Sequence, residues 1–222
     1  MGVIPLLHDL SGERVLVFGG GSVGARRART FTEEASVVVL SPAFADEGFG
    51  GAERVRAAPA PEAVPGWFDR VEPAVAVAAT DDPAVNDAVE RAAGERGVLY
   101  NRADRAGERD PHNVAVPATV RDGDAVVAVS TGVPALTRAL RERIEPELAG
   151  AGAMAALASD LRGRLREQYP PAQRRAALRA VVRSEQVQNA LAGGGESAEK
   201  TADRVAHAAA DRAGDRPGSN DG

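Results

Sequence analysis

The sequence holds no cysteine among its 222 residues, which excludes disulfides and thiolate metal sites together. Lysine is almost missing: 26 of the 27 basic residues are arginine, and Lys200 is the one exception. It stands in AGGGESAEKTADR, next to a stretch that reads as a disordered tail, so the folded body is expected to carry no lysine. Schiff-base chemistry and a Tyr-x-x-x-Lys proton relay are thereby excluded. Histidine is scarce as well, and His8, His112 and His207 are too widely spaced for an i,i+4 ligand pair. No apolar run reaches the roughly 18 to 20 residues of a membrane span. The N-terminal MGVIPLLHDLSGER lacks a basic segment ahead of a long apolar core, so no membrane association is expected and the chain reads as cytoplasmic.

What is present is a hydrophobic content of 44% with a net charge of −5, enough apolar matter for one medium domain and an appendage. RVLVF (14–18) reads as a buried strand, 22–34 as a helix and SVVVL (36–40) as a second buried strand. A short helix follows around 61–69, then a third strand over 74–79. DDPAVNDAVERAAGERG is a helix with Asp81 or Asp82 at its N-cap, Pro83 in the first turn and Gly97 past its end. GVLYN (97–101) is a further strand. Alternation of apolar runs with helices predicts an α/β fold, a Rossmann-type parallel sheet.

Beyond residue 101 the texture changes. RADRAGERDPH is a polar loop without periodicity, and NVAVPATV and AVVAVST flank RDGD, whose Asp122-Gly123 pair suits a two-residue hairpin turn. From Pro134 the chain reads as helix in three stretches, 134–148, 154–169 and 171–191, with Pro146 and Pro170-Pro171 as breaks. The expected division is a nucleotide-binding domain over 1–112, a hairpin and helix dimerisation unit over 113–148, a C-terminal helical region over 149–192 and a disordered tail over 193–222. The late helices have more apolar face than one sheet edge covers, which predicts a homodimer.

Gly19, Gly21 and Gly24 form G-x-G-x-x-G directly after a strand and at the start of a helix. Gly19 permits the tight turn, Gly21 lets the backbone approach a pyrophosphate, and Gly24 allows close contact of helix and sheet. Ser22 and Val23 complete the loop, and the helix N-terminal amides face the phosphates. An acidic residue that would bind the adenosine ribose is missing near position 41, where Ser41 stands, so this segment leaves NAD and NADP both open. Asn101-Arg102-Ala103-Asp104 ends the last parallel strand, on the edge where open α/β sheets bind ligands, and there Asp104 is a candidate acid or base. Arg102, Arg105, Arg109, Arg121, Arg138 and Arg141 cluster around the same part of the sequence and suit a polyanionic ligand.

PLLHDLSGERVLVFGGGSVGARRAR from Pro5, AATDDPAVN ending at Asn86, Asn101 to Asp104, Val116-Pro-Ala and VAVSTG ending at Gly132 occur in one order and spacing. Together they resemble the precorrin-2 dehydrogenase family, which includes the N-terminal module of siroheme synthase. The resemblance implies NAD-dependent oxidation of precorrin-2 to sirohydrochlorin and, in some members, insertion of ferrous iron to give siroheme. It also implies a dimer. In that family the aspartate of N-x-x-D is the proposed catalytic residue and falls on Asp104. Thr80 and Asp81 match the segment that lines the cofactor, and Ser130, Thr131 and Gly132 match a loop beside the substrate. The substrate carries eight carboxylates, for which Asn101, Arg102, Arg105, His112 and Arg138 join that loop as binding candidates. His112 is also the second candidate for handling the proton. Two departures from the family pattern stand out: a stretch from Asp104 to Pro117 about three residues longer than usual, and Gly132 running straight into Val133-Pro134.

Other classes fit less well. A short-chain dehydrogenase needs a Tyr-x-x-x-Lys pair, and Tyr100 is followed four positions on by Asp104. A non-catalytic NAD-sensing module uses the same glycine loop but leaves Asp104 and the arginines without a shared purpose. Nucleic-acid binding calls for a basic recognition helix, which this acidic chain does not offer.

Overall fold

A computed structural model describes residues 4–105, 112–193 and 196–215. The chain forms two compact units, 1–116 and 117–222.

In the first unit, short and mostly apolar runs become strands, and the segments between them carry the chain back so that the strands run parallel. The elements are β1 (Arg14–Phe18), α1 (Ser22–Phe31), β2 (Ser36–Ser41), β3 (Glu53–Arg56), a 3-10 turn (Pro61–Ala63), α2 (Val64–Val71), β4 (Val75–Ala78), α3 (Pro83–Arg96) and β5 (Leu99–Arg102). The five strands lie in the order β3-β2-β1-β4-β5, and every pairing is parallel. Because side chains alternate along a strand, the sheet feeds two cores. Leu16, Phe18, Leu40, Ala76, Ala78 and Tyr100 pack with Phe68 of α2 and Val85 and Val89 of α3. Val15, Val17, Val39, Val75 and Val77 pack with Ala25 and Ala28 of α1. Burial on both faces is why these strands read as continuous apolar runs. The strand order reverses between β1 and β4, so their carboxyl ends open a crevice.

The caps of α3 follow from its sequence. Asp82, rather than Asp81, is the N-cap: its Oδ1 accepts the amides of Ala84 (2.8 Å) and Val85 (3.5 Å). Gly97 closes the helix at φ +67. β3 was not foreseen. It is a four-residue edge strand, ERVR, with charged residues on either side of Val55, a pattern that protects an edge and conceals it in the sequence.

The second unit begins with an antiparallel hairpin, β6 (Ala118–Asp122) and β7 (Ala125–Val129). Asp122 pairs with Ala125, so the turn is Gly123-Asp124 and not Asp122-Gly123. Gly123 sits at φ +54 and supplies the first turn position, which an aspartate would hold under strain. Five helices follow: α4 (Pro134–Leu148), α5 (Ala151–Gln168), α6 (Pro171–Val182), α7 (Glu185–Gly193) and α8 (Glu196–Gly214). Pro146 lies inside the last turn of α4 rather than breaking it. The expected helix 171–191 is two helices, divided where Ser184 takes the N-cap position and its Oγ accepts the amide of Val187 (3.4 Å).

The largest correction concerns 193–222. Instead of a disordered tail, residues Glu196–Gly214 are a helix, and its Ala202, Ala206 and Ala210 are fully buried against Leu161 and Leu165 of α5 and Ala177 and Val181 of α6. His207 and Lys200 therefore belong to a folded helix, and lysine is not excluded from the body of the protein. The Tyr169 hydroxyl lies 2.9 Å from His207 Nδ1 and donates to Asp211 (3.1 Å). Ala206→Glu places a carboxylate where no solvent reaches. We expect it to cost more than about 2 kcal/mol in thermal or denaturant unfolding followed by circular dichroism. An unchanged transition would show that α8 does not cover this core.

Candidate functional site

The crevice at the ends of β1 and β4 is built on backbones packed without side chains. Gly19 lies at φ +116, and its amide donates to Leu40 O (2.9 Å). A Cβ on Gly19 would overlap the carbonyl of Ala79, at the end of β4, and a Cβ on Gly24 would overlap the carbonyl of Gly19. A Cβ on Gly21 meets nothing within 4 Å. Gly19 and Gly24 are therefore bare for close packing, and Gly21 is bare toward open space at the N-cap of α1. The free amides of Ser22, Val23 and Gly24 begin this helix, which has no acidic residue in its first turn. Open space, free amides and a helix N-terminus make a cradle that fits a dinucleotide pyrophosphate. A fourth glycine, Gly20, lies outside the G-x-G-x-x-G positions; a Cβ there would overlap Ser41 and the carbonyl of Ala43.

Ser41 is buried, and its hydroxyl donates to Ala43 O (2.6 Å), so only its lone pairs can serve a ribose. Thr80 is clamped by buried Asn86, whose Oδ1 accepts from the Thr80 amide (3.2 Å) and hydroxyl (2.8 Å) while its Nδ2 donates to Thr80 O (2.9 Å). Asp81 beside it is exposed.

At the end of β5 the structure gathers charge. Asn101 is buried, its Nδ2 donating to Val114 O (2.8 Å) and its Oδ1 lacking a hydrogen-bond partner among the described residues. The Arg102 side chain is 1% exposed. It donates from Nε and Nη2 to the two oxygens of Asp104 (2.8 and 2.7 Å), and from Nη1 to Asp87 (2.8 Å) and Glu90 (2.6 Å) of α3. Arg102 is thus engaged with three carboxylates, which corrects its expected place among residues open to a substrate anion. Arg105 is more accessible than Arg102: it is about half exposed and donates to Asp87 (2.9 Å). Arg109 lies outside the described residues. His112 lies alongside β5, its carbonyl accepting the amide of Tyr100 (2.9 Å).

The two hydrogen bonds from Arg102 pull the Asp104 carboxyl down to about 2, against the opposing effect of burial. Asp87 is lowered for the same reason, and Arg102 is raised above its ordinary value chiefly by Asp104. Asp104 is a far weaker base than an ordinary carboxylate, a property that sequence alone does not disclose.

In the second unit Ser130 is exposed, Gly132 is at φ +72, and Thr131 Oγ1 lies 2.8 Å from Thr137 Oγ1. Arg138 and Arg141 bond to Glu142 (2.9 Å) and Glu145 (3.0 Å) one turn on along α4. Among the described residues, no group of three or more histidine, aspartate or glutamate side chains is placed to hold a metal ion, and no helix is long and apolar enough to cross a membrane.

Residues 6–118 match the family described as Putative NAD(P)-binding. The chain is 36% identical over 182 residues to the siroheme synthase of Azotobacter vinelandii, covering 79% of this chain and 38% of that protein. It is 35% identical over 212 residues to the siroheme synthase of Pseudomonas putida, covering 90% and 43%. The chain therefore spans about two fifths of the length of these curated relatives. Among solved structures, "SirC, precorrin-2 dehydrogenase" superimposes with a TM-score of 0.67 at 22% identity, over 93% of this chain and 100% of that one. It shares the fold.

The depressed Asp104 value carries a pH signature. A carboxylate lowered in the folded state adds stability at pH values above its ordinary value of about 3.9, and that stability is lost as the pH falls through the folded value. The Asp104 contribution should therefore be intact at neutral pH and disappear between about pH 4 and 2. Over that window Asp104→Asn should show a shallower loss of stability with acid than the wild type, measured by denaturant unfolding at stepped pH. Parallel curves would remove the pairing from the energetics.

Proposed function

This chain belongs to the putative NAD(P)-binding family, and on that premise we propose that it oxidises precorrin-2 to sirohydrochlorin in siroheme biosynthesis, with NAD as the oxidant. The observation that carries the reading is that likeness to siroheme synthases runs through both compact units rather than ending with the glycine loop. The reading places the chain in the cytoplasm.

NAD, when bound, supplies the acceptor for a hydride. Gly19, Gly21 and Gly24 with the first amides of α1 would hold its pyrophosphate, and Ser41 and the Thr80–Asp81 turn would flank it. Arg105 presents a guanidinium to the carboxylates of the tetrapyrrole; Asn101, His112, Arg138 and the Ser130–Gly132 turn are the further binding candidates. As a hydride leaves carbon, positive charge develops on the substrate, and a fixed carboxylate nearby stabilises it. This is the part for Asp104. With both oxygens held by Arg102 it takes up a proton poorly, so the proton released with the hydride passes to water or to His112.

The test is anaerobic incubation with precorrin-2 and NAD, following the product spectrum, with NAD affinity measured separately. Gly21→Asp should weaken NAD binding by about tenfold or more. Asp104→Ala should bind NAD normally and lose about 10² to 10³ in kcat, the scale of one transition-state stabiliser. A wild-type protein that binds NAD without turning over precorrin-2 would be a sensor rather than an enzyme. Near wild-type turnover in Asp104→Ala, with loss in His112→Ala, would exchange their roles. Added ferrous iron, as substrate, reads chelation to siroheme as a second activity.

The proposed enzyme works as a homodimer through the hairpin and α4. What supports this is that none of the 15 residues of α4 is buried, although Leu136, Leu140, Ile144 and Leu148 recur at every fourth position. Val133 and Leu136 are 54% and 49% exposed. Light scattering should report twice the chain mass, and Leu136→Glu with Ile144→Glu should halve it. A monomeric wild type at micromolar concentration would count against the dimer.

A further inference from the structure

We propose that Arg102 is the positioning residue for Asp104: it grips that carboxylate at two points and fixes it, ionised, at the ligand-binding edge of the sheet. The proposal rests on the reading of Asp104 given above. Arg102 ends β5, the amide of Ala103 donates to Ala78 O (2.9 Å), and the chain bends at Ala103 and Asp104, which brings the Asp104 carboxylate back onto the guanidinium two residues before it. The guanidinium fork matches the carboxylate oxygen for oxygen, a geometry that lysine cannot reproduce.

Arg102 is itself held against rotation. Its Nη1 is shared by Asp87 and Glu90 of α3, and the second oxygen of Glu90 accepts from the hydroxyl of fully buried Tyr100 (2.9 Å). Arg105 faces Asp87 and Glu90 from outside, so two guanidinium groups meet three carboxylates and one negative charge is left over. Asp104 alone among the three receives the fork, and its side chain remains 29% exposed, within reach of a ligand. A simple tie between β5 and α3 would need only Asp87 and Glu90, which share the single nitrogen Nη1; the other two nitrogens, Nε and Nη2, are given one to each oxygen of Asp104.

Without Arg102, Asp104 would keep the backbone amide at its own position and the side-chain amide of Asn86, while the charges of Asp87 and Glu90 would be met by Arg105 alone among the contacts described. Like charges favour the protonated form, so its titration should rise into the range where activity is measured. The experiment follows kcat/KM against pH from 4.5 to 8 in wild type, Arg102→Met, Arg102→Lys and Asp104→Asn, with melting recorded for each. The wild type should be flat on the acid side. Arg102→Met should gain an acid limb falling about tenfold per pH unit, Arg102→Lys should gain a weaker one, and Asp104→Asn should be slow at every pH. In the double variant Arg102→Met with Asp104→Asn the acid limb should vanish. A loss in Arg102→Met that is equal at all pH values would make Arg102 a structural ion pair and overturn the proposal.

A second measurement does not depend on turnover. The side-chain carboxyl carbon of Asp104, assigned by its disappearance in Asp104→Asn, should titrate at least one pH unit higher in Arg102→Lys than in wild type by NMR. An unmoved midpoint overturns the proposal, whereas wild-type turnover in Asp104→Asn overturns only the reading of Asp104. If Arg102→Met does not fold, Arg102→Lys, which keeps the charge but not the fork, decides both measurements.

Discussion

Three backbones meet at the carboxyl end of β1 more closely than any side chain permits, and the site depends on that meeting. Gly19 abuts the carbonyl of Ala79, Gly24 abuts the carbonyl of Gly19, and Gly20 leaves room for Ser41. The turn thus touches the ends of β2 and β4 while launching α1. A methyl group at Gly19 or Gly24 would force these backbones apart and distort the crevice at the start of α1. Gly21 differs: its neighbour is empty space, so a substitution there would obstruct a ligand without disturbing the scaffold.

The two sides of the sheet edge carry opposite electrostatic characters. The β1–α1 turn offers amides and a helix N-terminus, which favour anions. The β5 edge offers Asp104, Asp87 and Glu90 bound to two arginines, an arrangement that fixes negative charge without burying it unpaired. α3 joins them, since its Asn86 holds Thr80 while its Asp87 and Glu90 hold Arg102. A shift of this one helix would disturb both the nucleotide side and the carboxylate side.

The strands buried on both faces were legible, because RVLVF and SVVVL have no polar alternation to confuse their reading. The caps of α3 were legible for the same local reason: an aspartate before proline and a glycine at the end specify their own backbone conformations. β3 was hidden by its charged, edge-strand composition. α8 was hidden by small side chains, since alanines buried at every fourth position give little hydrophobic signal, and the glycines before them suggest a loop. The pairing of Arg102 was not legible because two of its three partners, Asp87 and Glu90, come from α3. Asp87 and Glu90, spaced three apart on one helix face, were the visible clue that an interior cation needed them.

The position of β1 in the sheet also bears on the time course of folding. It pairs with β2 on one side and β4 on the other, so the centre of the sheet cannot close until residues as far on as Ala78 have been brought back to Phe18. Such pairings between distant segments pay loop-closure entropy before they gain contacts, which slows the first unit. The second unit is mostly helical, with a hairpin closed by a two-residue turn, and its local contacts form quickly. On a growing chain the later-made part is therefore the faster to organise, and the glycine crevice at the heart of the slower sheet is among the last features to acquire its shape.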